Sequence, residues 1–315
     1  MEVVATEGAA RAGTVRTARG SYATPAFMPV GTRGAVKALD SVDLGALGAE
    51  VVLANTYHLM LRPGVGTVAR LGGLHRFTGW DGHTLTDSGG YQVHSLGPSV
   101  DDDGVTFASV YDGDRVRLTP ESVVEAQGLI GADIQMVLDV CATLPASPEV
   151  LRVAVERTAA WAARARRHHE RLEARPEAQA LFGIVQGGTD PLLRAESAER
   201  TVALGVDQFD CVAPTRMARH GTVLTRHGKI NLRNAVHAED DSPLEDGCGC
   251  LACSRWSRGY LRHLLGVGEP TAWRLVSIHN LAFVLRLMSE ARAAIVEGRF
   301  SALRASTSEA WATRA

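Results

Sequence analysis

The sequence predicts an α/β fold, namely a TIM-type (β/α) barrel with about six of the usual eight parallel strands and an appended metal-binding subdomain. Short apolar runs alternate with segments that begin like capped helices, which is typical of βα units in a parallel sheet. Polar side chains follow several of these runs, where barrel enzymes hold their catalytic groups. Three cysteines lie within six positions near the C-terminal end, which indicates a separate metal-binding part.

Length and composition are those of an ordinary globular protein. The chain has 315 residues, of which 45% are hydrophobic and 22% charged, enough for one α/β domain with a subdomain. There are 33 basic and 35 acidic residues and the net charge is −2, so any nucleic-acid contact must come from a local basic face. The N-terminus lacks the pattern of a secretory signal, and no apolar stretch is long enough to cross a bilayer. We therefore expect a cytoplasmic protein without membrane contact.

The predicted organisation follows the order of these apolar runs. We predict a β-hairpin over residues 1–24, the barrel over 25–220, the metal-binding subdomain over 221–280 and a C-terminal helix and tail over 281–315. Helices are predicted to start at Ser41, Thr119, Ser147 and Asp190, because each can cap a helix and proline follows three of them. The predicted parallel strands are the runs 24–32, 50–59, 83–93, 133–141 and 180–188, and a sixth from Gln208. The long helix from Ser147 should run to about Arg175, the last helix should span about 280–297, and 266–270 should be a loop.

Four polar side chains fall at the predicted carboxyl ends of strands: Asp87, Asp139, Gln186 and Asp210. Each one alone is more often a cap or a turn residue, but together they predict a site. The segment 208–219 has two interpretations. A carboxylate at position 210 could attack an electron-poor carbon while Arg216 and Arg219 hold a phosphate. Alternatively, Asp210 caps a helix and a solvated basic loop follows.

The cysteine pattern points to a metal. The five cysteines are Cys141, Cys211, Cys248, Cys250 and Cys253, and an odd, clustered set fits metal thiolates in a reducing compartment better than disulfides. The last three, with His279, offer four ligands for a tetrahedral zinc site, which would be structural because the protein fills every position. An iron–sulfur cluster or unliganded thiols are the alternatives.

Several segments resemble the tRNA-guanine transglycosylase (queuine tRNA-ribosyltransferase) family in its bacterial form. They are FMPVGT, ANTYHLMLRPG, LTDSGGYQV, FGIVQGG, FDCVAPTRMARHG, CGCLAC and IHNL, and they cover the chain from about residue 25 to residue 300. The resemblance implies a (β/α)8 barrel with one structural Zn²⁺ per chain. The implied activity, part of queuosine biosynthesis, is exchange of the wobble guanine of tRNA for a 7-deazaguanine, preQ1.

The resemblance also implies a role for individual residues. Asp210 would be the nucleophile that forms a covalent bond to the ribose, and Asp87 would be the second catalytic carboxyl group. The implied base-binding residues are Ser88, Tyr91, Asp139, Cys141 and Gln186, and the implied zinc ligands are Cys248, Cys250, Cys253 and His279. Arg216 and Arg219 would contact the tRNA anticodon loop, and the chain would form a homodimer through its zinc region.

The sequence departs from the family pattern between Gln186 and Asp210. The family has two further strands there, but this chain has only 24 positions, so we predict an internal deletion of about two βα units. The lost segments carry part of the base pocket, which makes a degenerate or non-catalytic tRNA-binding paralogue the first alternative. In addition, Val140 stands where bacterial relatives often have glutamate. A barrel glycoside hydrolase, the second alternative, would also pair two carboxylates, but it explains neither the cysteines nor the basic segment.

Overall fold

A computed structural model describes residues 1–172, 179–202 and 213–312, and it begins with a three-stranded antiparallel sheet. The strands are β1 (Glu2–Glu7), β2 (Ala10–Thr17) and β3 (Gly20–Thr24), in that order in the sheet. The first 24 residues therefore contain one strand more than the predicted hairpin. The sheet covers one end of the main fold, where Val15 and Tyr22 are buried among side chains of the parallel strands.

The central part of the chain alternates strands with helices, as predicted. Its elements up to the third parallel strand are β4 (Val30–Gly31), α1 (Ser41–Ala46), β5 (Val51–Asn55), α2 (Thr56–Leu61), α3 (Val65–Arg70), α4 (Gly73–Thr78) and β6 (His83–Asp87). A short helix and a small antiparallel sheet follow: α5 (Gly90–His94), β7 (Ser99–Val100), β8 (Val105–Ala108) and β9 (Arg115–Leu118). The remaining elements are α6 (Pro120–Ile130), β10 (Ile134–Met136), α7 (Pro148–Leu172), β11 (Ala180–Phe182) and α8 (Pro191–Val202).

Five of these strands form one parallel sheet in the order β11-β10-β6-β5-β4. Each strand pairs with its neighbour along the chain, which is the order that βα units in a barrel produce. Within the described ranges, β4 pairs only with β5 and β11 only with β10. The α/β class with a parallel sheet is thus confirmed. The sixth predicted strand, from Gln208, lies outside the described residues, and closure into a barrel stays a prediction.

The strands were predicted in the right places but too long. The run 50–59 contains β5 and then α2, because the Asn55 side chain accepts a hydrogen bond from the backbone N–H of His58 and so begins a helix. The run 83–93 ends as a strand at Asp87, because Gly89 (φ +80°) turns the chain into α5. The runs 24–32, 133–141 and 180–188 contain strands of only two or three residues. Asn55 and Asp87 consequently stand at the ends of neighbouring strands.

Most helix starts agree with the caps read from the sequence. Thr119 caps α6 in a reciprocal pair of hydrogen bonds with Ser122, and Asp190 accepts hydrogen bonds from the first turn of α8. At α1 the predicted cap was wrong by one residue, since Asp40 caps the helix and Ser41 is its first residue. Helix α7 starts after Ser147 and is described to Leu172; its predicted end near residue 175 lies outside the described residues.

The C-terminal part differs most from the prediction. Its elements are α9 (Ala213–Arg219), β12 (Thr222–Thr225), β13 (Gly228–Asn231), a 3-10 turn (Ala235–His237), α10 (Arg258–Gly266), α11 (Pro270–Val296) and α12 (Phe300–Ala312). Arg216 and Arg219 lie on a helix instead of a loop. The helix predicted over 280–297 begins ten residues earlier, since Pro270 occupies its first turn, and another helix follows it. The segment 266–270 is only partly a loop, because it includes the ends of α10 and α11.

Helix α11 joins the two halves of the molecule. On one side its residues Leu275 and Val276 pack into the hydrophobic core of the C-terminal part, and on the other Ile278 and Leu281 pack against the α1 region. Arg292 also donates hydrogen bonds to backbone carbonyls of the N-terminal sheet. The predicted domain boundary at 280/281 falls inside this helix. None of the described helices has the length and apolar character needed to span a membrane.

Candidate functional site

Asp87 lies at the carboxyl end of β6, where its carboxylate is held by groups from β5, from the start of α2 and from the turn after β6. Its Oδ2 accepts a hydrogen bond from Asn55 Nδ2 at 2.5 Å, and its Oδ1 accepts hydrogen bonds from the backbone N–H groups of Thr56 and Gly89, both at 3.1 Å. Asn55 and Asp87 are direct partners in the parallel register of β5 and β6. The carboxylate is half-buried, so these bonds fix its orientation while part of it still faces the outside.

Ser88, Asp139 and Gln186 come together from the ends of three strands. Gln186 Nε2 donates to Asp139 Oδ2 at 2.7 Å, and Ser88 Oγ donates to Asp139 Oδ1 at 3.3 Å. Asp139 follows β10 and Gln186 follows β11, while Ser88 is next to Asp87 after β6. The structure therefore brings together four of the residues selected from the sequence, all at the carboxyl edge of the sheet.

Burial controls the chemistry of Asp139 and its neighbour Cys141. Burial raises the pKa of the Asp139 carboxyl group, and hydrogen bonds from Cys141, Ser88 and Gln186 partly oppose this increase. Burial also raises the pKa of the Cys141 thiol, and the Asp139 charge raises it further. The thiol consequently stays protonated and donates to Asp139 Oδ2 at 3.3 Å. In this arrangement Cys141 serves Asp139 as a hydrogen-bond donor.

The turn after Asp87 depends on two glycines. Gly89 has φ +80°, and a Cβ on Gly90 would collide with Asp139 Oδ1. Because Gly90 carries no side chain, the start of α5 can approach the buried carboxylate. Tyr91 follows on α5 and is 72% exposed.

The predicted basic residues lie on α9, next to an open cleft of about 540 Å³. Arg216 is exposed, and Arg219 is half-buried and donates a hydrogen bond to the backbone carbonyl of Thr215 at 3.1 Å. Asp210, the predicted nucleophile, lies outside the described residues, as does Cys211. The convergence of Asp87 with Asp210 therefore remains a prediction.

Cys248, Cys250, Cys253 and His279 form a cluster in the C-terminal part, with their ligand atoms within 4.8 Å of one another. His279 Nδ1 lies 3.7, 3.6 and 3.3 Å from the three Sγ atoms in that order. Its other nitrogen, Nε2, is 2.9 Å from the backbone carbonyl of Leu224, an acceptor that requires the proton on Nε2 and leaves the Nδ1 lone pair facing the thiols. The four predicted ligands can hold a metal ion.

Arg286 and Glu245 form a second layer of polar side chains around the cysteine cluster. Arg286 donates to Cys248 Sγ at 3.5 Å and to the buried carboxylate of Glu245 at 2.5 Å. Glu245 also accepts a hydrogen bond from the backbone N–H of Arg226 at 2.6 Å. The guanidinium thus compensates part of the negative charge of a thiolate at Cys248, and the hairpin β12–β13 is tied to the same cluster.

Comparison with known proteins gives a single family. The model of the family described as "Queuine tRNA-ribosyltransferase" matches residues 6–204 and 200–313. This chain belongs to the queuine tRNA-ribosyltransferase family. Relatives with that name include those of Symbiobacterium thermophilum (43% identical, covering 96% of this chain and 88% of the relative), Rhizobium meliloti (42%, 98% and 96%) and Brucella melitensis (43%, 99% and 96%).

The same comparisons agree with the predicted internal deletion in this queuine tRNA-ribosyltransferase family member. The three alignments extend over 358, 365 and 366 positions, which is more than the 315 residues of the chain. These relatives must therefore contain residues that have no counterpart here. The family model matches in two parts that meet at residues 200–204, within the interval between Gln186 and Asp210 that the sequence indicated.

Sequence reasoning missed Asn55 and Thr56, which hold Asp87. It treated 50–59 as one strand, which placed Asn55 in the middle of an element instead of at its end. The signal that could have found them is Asn55 itself, since asparagine is a preferred helix cap and a cap there ends the strand. Sequence reasoning also missed Arg286 and Glu245, because no local pattern connects them to Cys248.

Proposed function

We propose that this protein is a tRNA-guanine transglycosylase that replaces the wobble guanine of tRNA with the 7-deazaguanine preQ1, in queuosine biosynthesis. The observation that carries the proposal is the set formed by Ser88, Asp139 and Gln186 beside Asp87 at the carboxyl edge of the parallel sheet. Family membership and the names of the relatives support the same activity.

The pocket has the polarity that a guanine edge requires. A guanine or 7-deazaguanine offers N–H donors that the Asp139 carboxylate can accept, and its carbonyl can accept from the Gln186 amide or the Ser88 hydroxyl. The base must leave the stacked loop to reach this position, and stacking on Tyr91 would recover part of the cost. Since Asp139 is 7% exposed and Ser88 2%, bound base and protein would exclude water from these hydrogen bonds.

The exchange requires two displacements at the same carbon. An Asp210 carboxylate oxygen would bond to C1′ of the ribose while the C1′–N9 bond breaks and guanine leaves with that electron pair. Asp87 would supply a proton to the departing guanine and then accept one from the incoming base. The nitrogen of that base would attack C1′ and release Asp210, so the original configuration returns. Hydrogen bonds from Asn55 and Thr56 would keep Asp87 oriented for both transfers.

The cysteine cluster would hold one structural zinc ion. With Zn–S near 2.3 Å and Zn–N near 2.0–2.1 Å, a tetrahedral site places each sulfur about 3.5 Å from the nitrogen. The separations of 3.3–3.7 Å between His279 Nδ1 and the three Sγ atoms fit that geometry. All four positions would be taken by protein, so the ion would stabilise the fold. Arg216 and Arg219 would contact anticodon-loop phosphates, and we propose a cytoplasmic homodimer.

The deciding experiment is incorporation of radiolabelled guanine into a tRNA with guanine at the wobble position. Time-dependent incorporation that preQ1 competes away is the expected result. Binding of that tRNA without any incorporation would instead identify a non-catalytic paralogue, the function that the missing block favours. The glycoside hydrolase alternative is tested in parallel by measuring the melting temperature of the protein with each ligand. If the protein were a glycosidase, an oligosaccharide would raise this temperature and tRNA would not.

The raised pKa of Asp139 predicts how base binding depends on pH. The carboxylate form accepts the hydrogen bonds of the base, so affinity for guanine should fall as pH decreases through a pKa above the ordinary value of 3.8. Replacing Ser88 with alanine removes a hydrogen bond that lowers this pKa, so the midpoint should move to higher pH. Equilibrium binding of radiolabelled guanine to both proteins across the acid range measures the shift. Identical midpoints would contradict the assignment of the titrating group to Asp139.

A further inference from the structure

The open cleft beside α9 has two further basic residues, which no sequence motif had indicated. Arg33 and Lys37 lie in the loop after β4 and line the cleft together with Arg216 and Arg219 from α9. Thr32, His58 from α2 and Thr215 complete the polar part of its described lining. Two separate elements therefore supply cations to one open cavity of about 540 Å³.

Among the residues that the structure describes, no acid is paired with these cations. The described lining of the cleft contains no Asp or Glu, and none of the salt bridges between described residues includes Arg33, Lys37 or Arg216. The chain as a whole carries a net charge of −2, so a cleft whose described lining has basic groups and no acidic one is a local feature suited to a polyanion.

The side chain of Arg33 is also positioned by an aromatic ring. Its guanidinium carbon lies 5.9 Å from the centre of the Tyr111 ring, and the Tyr111 hydroxyl is 3.1 Å from His58 Nδ1. Such contacts reduce the freedom of the guanidinium before a ligand binds. Arg62 lies over the same ring at 4.5 Å. However, it is also close enough to Asp112 to help lower the pKa of that carboxyl group, after the larger effect of the Ser109 hydroxyl. Arg62 is therefore partly compensated, whereas no salt bridge between described residues includes Arg33.

The cleft opens next to the proposed catalytic pocket. His58 belongs to α2, and the first residue of that helix, Thr56, donates its backbone N–H to Asp87. A nucleotide whose base enters the pocket would keep its flanking phosphates outside, at the level of this helix. The cleft is where those phosphates would lie.

We propose that Arg33 and Lys37 bind backbone phosphates of the RNA, in the same cleft as Arg216 and Arg219. The inference rests on the proposed function, because the ligand is the RNA whose base enters the pocket. It adds a second phosphate-binding element, the loop after β4, to the one on α9.

The test is the salt dependence of binding to a fluorescent anticodon stem-loop RNA, followed by anisotropy. The double variant Arg33→Gln/Lys37→Gln should bind more weakly, and the slope of log K against log salt should decrease by about 1.4, since each single-strand phosphate contact contributes about 0.7. The single variant Arg33→Lys keeps the positive charge, so its slope should stay close to that of the unmodified protein. The matched control is Arg304→Gln on α12, an exposed arginine outside the cleft, whose slope should equal that of the unmodified protein.

The outcomes separate this inference from the function it rests on. If the unmodified protein binds the RNA and the double variant, still folded by circular dichroism, has the same affinity and slope, then Arg33 and Lys37 do not contact phosphates. If the double variant loses its oligomeric state but keeps the slope, these residues belong to a protein interface and the inference is equally wrong. If the unmodified protein does not bind the RNA at all, the proposed function itself fails.

Discussion

Guanine exchange is expected to fall by about 10²–10⁴-fold when Asp87 is replaced by asparagine, the range that a positioned acid–base group contributes. Asparagine keeps the shape of the side chain, and its oxygen can still accept from the backbone N–H groups of Thr56 and Gly89, although the bond from Asn55 Nδ2 is lost. It cannot give or take the proton. Initial rates of labelled-guanine incorporation at saturating tRNA measure the loss. Binding of the stem-loop RNA should change little, because Asp87 is assigned to the base and not to the phosphates.

Two further variants accompany this experiment, one as a control and one as a test of the nucleophile. Asp81→Asn makes the same change at an exposed position before the other end of β6 and should leave exchange unaltered. Asp210→Asn should abolish both exchange and the covalent RNA adduct that denaturing electrophoresis detects, because no carboxylate remains to bond to the ribose. Undiminished exchange in the Asp87 or the Asp210 variant would refute the two-carboxylate mechanism.

The position of Asp87 could be predicted because it is a polar residue that follows a short apolar run. Where such a run is a buried strand, as in β6, the polar residue marks the end of the strand. The same logic found Asp139 and Gln186. It failed for the supporting residue Asn55, since the apolar pattern continues through β5 into α2, and a short apolar run does not distinguish a strand from a buried helix turn. The candidate catalytic and binding residues could thus be predicted from the sequence. The residues that position them could be identified only once the register of the neighbouring strands was known.

In the C-terminal part, the metal ligands could be predicted from the sequence, but the helices around them were predicted poorly. Three closely spaced cysteines restrict their own chemistry whatever structure surrounds them. In contrast, the start of α11 was misplaced because the glycines of 266–270 were taken as a loop, although Glu269 and Pro270 form an acceptable helix start. The contacts of Arg33 and of Arg286 were beyond prediction, because each depends on residues distant in sequence that only tertiary packing brings together.

Removal of the metal is expected to destabilise the protein strongly. Structural zinc contributes roughly 10–16 kcal/mol to the folding of small zinc-finger peptides. Here the C-terminal part also has a hydrophobic core of its own, which includes Leu232, Leu244 and Leu261, so only a fraction of that free energy should be lost. Even a loss of about 4 kcal/mol would lower Tm by several degrees, since each kcal/mol shifts Tm by about 2–4 °C in chains of 150–250 residues and by less in longer chains. Differential scanning calorimetry before and after chelation measures the change.

Metal content must be measured alongside Tm, because a chelator can act on a protein in other ways. Cys253→Ala should lose the bound equivalent of zinc in elemental analysis and melt at the temperature of the chelated protein. Cys141→Ala removes a thiol that is outside the cluster, bonded to Asp139, and should retain the full equivalent. Arg286→Gln tests the second layer: without a guanidinium beside Cys248, zinc should transfer faster to a colorimetric chelator while the stoichiometry stays at one. If the chelated protein instead melts at the temperature of the loaded one, the cluster does not stabilise the fold, and α11 must be held by its apolar contacts and by hydrogen bonds such as those of Arg292.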